Sequence, residues 1–266
     1  MQVTVGAWNV DKNLGNPEHF DDVVAGINLL NANITFLGEA FGQDHEHTPE
    51  AHHRLAWRLG RTVVCAAYED KEPHPAGEQY MVALVGNMPA YTADVDVHPV
   101  RLKIRNALEV NVRTAKNHRL NLFGVHFDDR SEDARIVMAE ELARQAHPKY
   151  MPSVAIGKFN AMPRETMASR FLGGIPVGIA ARLAPHPRLR SLGNRLHEMG
   201  DGTTIDTLRE KGFQIADPYL RPTKGIAPLD HLLLPQQGVE LEEESYQVLS
   251  LKGSLTRAIK ATLVLT

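Results

Sequence analysis

Ser153-Val154-Ala155-Ile156-Gly157-Lys158-Phe159-Asn160 is a short apolar run that closes on two polar side chains. Residues 153–156 read as a buried strand running into Gly157-Lys158-Phe159-Asn160, and nothing in its packing explains Lys158 or Asn160 at the end. The same design recurs on both sides of it. Upstream, residues 3–10 bring Asn9 and then Asp11, residues 34–38 deliver Glu39, and residues 120–127 carry His126 with Asp128 just beyond. Downstream, residues 229–234 open on Leu229-Asp230-His231. Several apolar runs that each end in polar residues predict one pocket where strand ends meet.

Between these runs the chain alternates without an obvious linker or repeat, so residues 1–266 are read as a single domain. Residues 20–30 carry Val23, Val24, Ile27 and Leu30 near helical spacing. Residues 48–59, 132–145 and 204–212 are further helices, the second with an acidic start that suits a helix dipole and the third stopped by Gly212. Strands are expected at 63–66, 80–85, 91–97, 107–112, 240–249 and 257–265, with a turn at Lys116-Asn117-His118. Residues 163–200, rich in Arg, Pro and Gly, read as an insertion. Short strands with interspersed helices, lacking a regular βαβ rhythm, point to an α/β protein of two packed sheets with outer helices.

Taken in order, Trp8-Asn9-Val10, Leu37-Gly38-Glu39, Val125-His126-Phe127, Gly157-Lys158-Phe159-Asn160, Leu229-Asp230-His231-Leu232 and Ser254-Leu255-Thr256 span nearly the whole chain. This ordered set resembles the strand-end motifs of the endonuclease/exonuclease/phosphatase superfamily, the deoxyribonuclease-like hydrolases. The resemblance implies a four-layer α/β/β/α sandwich of two mixed sheets flanked by helices. It also implies metal-assisted attack of water on a phosphodiester or phosphomonoester. By that resemblance Glu39 holds Mg²⁺, Asn160 helps to bind phosphate, Asp230 steadies the histidine of the last motif, and His126 with Asn9 completes the site. Asn9, Asp11, Arg105, His126, Asn160 and His231 are the candidate ligand contacts.

Three positions depart from the pattern. Lys158 stands where the family has an aspartate that steers water, and Leu255 and Thr256 replace an aspartate and a histidine. An ammonium about 4 Å from a divalent ion, at an effective dielectric near 20, is repelled by roughly 8 kcal/mol. The expectation is therefore a degenerate, inactive centre with no cofactor, in which Lys158 pairs with Glu39 as a built-in cation. Such a centre would bind a phosphate-containing small molecule or a nucleic acid without cleaving it, or would merely be filled by an ion pair of Lys158 with Glu39 and Asp230. The alternative is an active Mg²⁺-dependent phosphodiesterase, nuclease or phosphatase that recruits Asp128, Asp129, Asp230 or His231. A third reading makes the pocket irrelevant and the chain an interaction protein that binds a protein partner through its surface, with the Arg-rich insertion as the candidate.

Composition narrows these choices. With 29 Lys and Arg against 32 Asp and Glu, the net charge of −3 leaves no overall basic excess of the kind that counterion release rewards. The one local candidate is the insertion, with Arg164, Arg170, Arg182, Arg188, Arg190 and Arg195. Cys65 is the single cysteine, which rules out an intramolecular disulfide, and its apolar setting suggests a small buried hydrophobe. His45, His47, His52 and His53 match no common ligand spacing and are read as a solvated loop, and Glu242-Glu243-Glu244 as a solvated strand start. With no signal-like start and no membrane-length apolar run, a cytoplasmic location without membrane partners is the expectation.

Overall fold

The computed structural model describes residues 1–11, 13–40, 49–67, 80–129, 131–166, 199–217, 219–224, 227–252 and 254–266. In chain order the elements begin β1 (Gln2–Asn9), α1 (Phe20–Leu30), β2 (Ile34–Gly38), α2 (Pro49–Leu59), β3 (Thr62–Ala67) and β4 (Tyr80–Val85). The middle holds β5 (Thr92–Arg101), β6 (Asn106–Thr114), β7 (Arg119–His126), α3 (Glu132–Ala146) and β8 (Ser153–Lys158). The remainder holds α4 (Thr203–Glu210), β9 (Phe213–Ile215), β10 (Asp230–Pro235), β11 (Val239–Leu241), β12 (Gln247–Leu249) and β13 (Ala258–Leu265).

Two sheets result. The first runs β11-β13-β1-β2-β4-β3 with β12 also on β13, and the second runs β5-β6-β7-β8-β10-β9. Both are mixed, since β1 with β2 and β7 with β8 are parallel pairs among antiparallel ones. Alternation of side chains along the strands sends Val5, Phe36, Val110, Leu122, Val154, Ile156 and Ile259 into the space between the sheets. The other face of the first sheet is sealed by apolar residues of α1 and α2, such as Val23, Ile27 and Leu55. The other face of the second is sealed by Met138 and Leu142 of α3 and Ile205 and Leu208 of α4. The result is the expected sandwich of helices, sheet, sheet and helices.

Parallel pairing is what gathers the polar strand ends. Asn9 is level with Gly38, so Asn9 and Glu39 emerge together from the first sheet. His126 is level with Lys158, and the antiparallel β10 starts with Asp230 opposite Lys158. Two glycines permit this closeness. A Cβ on Gly124 would lie 2.0 Å from Phe36 of the facing sheet, and one on Gly157, at φ +137, would lie 2.2 Å from the Val125 carbonyl oxygen.

Several boundaries differ from expectation. β8 continues to Lys158 because its backbone still pairs with both neighbours. β5 runs on through Pro99 to Arg101, which its place at the sheet edge tolerates. Residues 240–249 form two short strands on β13 rather than one. Glu244 turns the chain between them at φ 58, so the three glutamates lead into and make a turn instead of starting a strand. The three-residue β9 was too short to carry a period. The insertion from 167 to 198, His45, His47 and the side chains of His52 and Cys65 lie outside the described residues, while His53 is exposed. No helix among the described residues is long and apolar enough to cross a membrane.

Candidate strand-end site

Asn9, Glu39, His126, Lys158 and Asp230 meet where the strand ends converge. Glu39 is the hub. Its Oε1 accepts from Asn9 Nδ2 at 3.0 Å and from Lys158 Nζ at 3.3 Å, and His126 Nε2 lies 3.4 Å from the same oxygen. Burial opposes the charge on Glu39, but the facing His126, Lys158 and Asn9 hold its carboxyl at about 2. Burial pushes His126 down to about 3 against the pull of Glu39, and the Lys158 and Arg105 cations push the same way. At neutral pH Glu39 is thus a carboxylate and His126 an uncharged imidazole. Asp230 differs. Burial raises its carboxyl despite Lys158 and a hydrogen bond from the Thr223 side chain, and its Oδ2 is buried without a hydrogen-bond partner among the described residues.

The backbone around these residues is specialised. Asp11, Glu39 and Asn160 leave their strands in the left-handed region at φ 48, 46 and 51, a conformation that costs non-glycine residues about 1–3 kcal/mol and clusters at functional sites. Asn160 Nδ2 donates to the Phe127 carbonyl at 2.8 Å, and Arg105 donates to the same oxygen at 3.1 Å. Both therefore brace the segment behind His126.

That bracing corrects two expected ligand contacts. Arg105 is only 1% exposed, with its guanidinium 3.4 Å from Asp129 and 3.5 Å from Asp128; it supports the site from within. His231 is turned away from Asp230 by strand alternation, sets its ring tilted by 53° against Phe159 at 5.8 Å and gives its Nε2 proton to the Ala161 carbonyl at 2.9 Å. Asp11 serves the chain as well. Its Oδ2 accepts from Ser254 Oγ at 2.6 Å and from the Leu255 amide at 3.1 Å.

The last motif has become a clasp. The Thr256 hydroxyl donates to the Asn9 carbonyl at 2.6 Å, the Ser254 hydroxyl shares its one proton between Asp11 and that same carbonyl, 2.7 Å away, and Trp8 Nε1 donates to the Thr256 carbonyl at 3.3 Å. Leu255 points outward at 89% exposure. Neither residue offers an acid or base to the pocket. Three supports had no sequence signal: Thr223, whose hydroxyl accepts the Leu229 and Asp230 amides at 3.1 and 3.0 Å, and Lys224 and Arg257, exposed cations on the adjoining loops. Arg257 reaches the Pro222 carbonyl at 3.2 Å.

The Mg²⁺ that the resemblance implies does not fit these residues. Mg²⁺ needs near-octahedral oxygen ligands, yet the Glu39 carboxylate that would hold it already faces the Lys158 ammonium. No group of three or more His, Cys, Asp or Glu among the described residues is arranged to hold a metal ion.

Burial of His231 has a pH consequence. Its ring is pushed down to about 4, with the Ala161 bond pulling the other way. An unfolded histidine titrates near 6.5, so between these values the unfolded chain takes up a proton that the folded chain refuses. Stability is complete above about pH 6.5 and falls as pH drops toward 4, by about 2 kcal/mol at pH 5 for this residue. His231→Gln, which keeps a donor for Ala161, should show a smaller fall in Tm from pH 7 to pH 5 than the parent. Equal falls would dismiss His231 as a source of acid sensitivity.

No family model and no curated protein matches the sequence, but solved structures match throughout. An endonuclease/exonuclease/phosphatase family protein from Bacteroides thetaiotaomicron aligns at TM-score 0.62 and 11% identity, over 100% of this chain and 98% of that one. The human Nocturnin catalytic domain with bound sulfate aligns at 0.61 and 15%, over 100% and 95%. The endonuclease domain of a telomere-specific non-LTR retrotransposon aligns at 0.59 and 15%, over 100% and 99%.

Proposed function

We propose, for a chain whose fold is that of the endonuclease/exonuclease/phosphatase proteins, a non-hydrolytic role in which the strand-end centre binds a phosphate-containing small molecule or nucleic acid and leaves it intact. The observation that carries this reading is the Lys158 ammonium 3.3 Å from Glu39, seated where the hydrolytic members place an acid. It places a cation at the strand ends and no group able to take a proton from water, and loss of a general base alone removes about 10²–10⁴ in rate. The rim supports an anionic ligand. Lys224 and Arg257 are exposed on the adjoining loops, and neither forms a close ion pair with a carboxylate among the described residues, although Lys224 is near enough to act on Asp230.

A second reading, a metal-dependent hydrolase with an unusual residue set, draws on Asp230. A buried carboxyl with a raised pKa and an unpartnered oxygen is a feature of working acids and bases. One assay separates the two. Purified protein is incubated with a phosphodiester, a phosphomonoester and plasmid DNA in Mg²⁺ or Mn²⁺, beside the triple variant Lys158→Asp, Leu255→Asp, Thr256→His. Our reading expects no parental turnover above blank and at least a 10²-fold gain in the triple variant. Parental turnover that a chelator abolishes would establish the second reading instead. The Arg-rich insertion as a partner surface lies outside the described residues.

A further inference from the structure

The outer face of the second sheet extends beyond the helices that cover it. Phe123, Val125 and Ala155 are packed with α3 and α4, but the lower halves of β5, β6 and β7 carry a different surface. The register sets Asp94 opposite Arg113 and Arg113 opposite Arg119. One step along, Asp96 faces Asn111, Asn111 faces Asn121, and Asn121 faces Ser153. Directly opposed residues share a face and side chains alternate, so both rows lie on the side to which Phe123 points. Apart from the buried Ser153, and with Met151 from the segment between α3 and β8, they line a cleft of about 410 Å³, within the usual range for small-molecule sites. Arg119 and Ser153 begin their strands, so this cleft lies at the opposite strand ends from Glu39.

Its polar groups are only partly spent on one another, and Asp96 lies 3.6 Å from His98. Like charges directly opposed across strands are destabilising, yet Arg113 and Arg119 are so placed. Asp94 answers Arg113 at 3.2 Å, whereas Arg119 meets no carboxylate among the described residues. The amide of Asn111 likewise has no partner there, and that of Asn121 reaches only Ser153 Oγ at 3.4 Å. An anion between the guanidinia would relieve the repulsion, and hydroxyls beside it would satisfy the amides.

We infer that this cleft is a second ligand site, for a small hydroxylated anion such as a sugar acid or a sugar phosphate. Arg119, with Arg113, grips the carboxylate or phosphate through paired N–H donors. Asn111, Asn121 and Asp96 take the hydroxyls. This assignment stands apart from the strand-end centre and does not depend on whether that centre hydrolyses anything.

Calorimetric titration of the full chain tests it with glucuronate, glucose 6-phosphate, glucose and inorganic phosphate as probes. The expected result is saturable binding of glucuronate or glucose 6-phosphate, with glucose and inorganic phosphate each at least tenfold weaker. Arg119→Ala should weaken the bound anion by about 10- to 100-fold, the usual effect of losing charge-assisted hydrogen bonds. Arg119→Lys, which keeps the charge but not the fork, should recover part of that loss. Absence of saturation by both sugar anions up to about 10 mM would overturn the assignment. So would binding that Arg119→Ala leaves intact, or inorganic phosphate that binds as tightly as either sugar anion.

Discussion

Lys158→Met should lower the stability of the folded chain by about 3–5 kcal/mol, the usual cost of removing one partner from a buried ion pair. Methionine fills a similar volume, so the loss isolates charge. The side chains of Lys158 and Glu39 are 8% and 18% exposed, which leaves water little chance to screen an abandoned carboxylate. Asn9 and the uncharged His126 remain beside Glu39, but neither supplies a full opposing charge. The double variant Lys158→Met, Glu39→Gln should regain most of the lost stability, because both charges leave together. Urea unfolding of the parent, the single variants and the double variant measures the coupling directly. A single-variant cost under about 1 kcal/mol, or a double variant as poor as the sum of its parts, would remove the ion pair from its central place.

Gly157→Ala should cost on the order of 4 kcal/mol or more, a size reserved for a few well-defined defects. At φ +137 the added methyl would stand 2.2 Å from the Val125 carbonyl oxygen, and that oxygen belongs to the neighbouring strand. Yielding would break the register that sets His126 beside Lys158. For a domain of this size the change corresponds to about 10 °C in Tm. Gly60→Ala is the comparison, since Gly60 also has positive φ, +61, but nothing within 4 Å of the added atom. It should lose only about 1 kcal/mol. Similar scanning-calorimetry shifts for the two variants would mean that the strands yield more easily than their pairing suggests.

The strand ends were legible in the sequence because a buried strand must be apolar, so a polar residue at its exit stands out. Asn9, Glu39, His126, Lys158 and Asp230 were all visible in this way, and the structure brings them together. The same logic misassigned His231, and the family resemblance misassigned Arg105. A sequence shows that a polar side chain follows or starts an apolar run, but not whether a backbone carbonyl such as that of Phe127 or Ala161 waits behind it. Asp11 gave no sign that it would cap the turn at Ser254, some 240 positions away in the chain, nor Thr223 that it would receive two amides. Such partners depend on loop paths that no local period records. Arg113 and Arg119 attracted no notice because each looks like an ordinary exposed charge until cross-strand pairing sets them side by side.

The place of β13 in the first sheet constrains how the molecule can assemble. β1 has β2 on one side and β13 on the other, with Gln2 aligned to Val264, so a central neighbour arrives only after almost every other element has been synthesised. Until then a growing chain holds β1 with one flank of amides and carbonyls open, and β11 and β12 with nothing to pair against. Closing so long a loop slows folding, and an open strand flank invites association between chains. A ribosome-bound product shortened before residue 258 should therefore be the species most in need of chaperone protection.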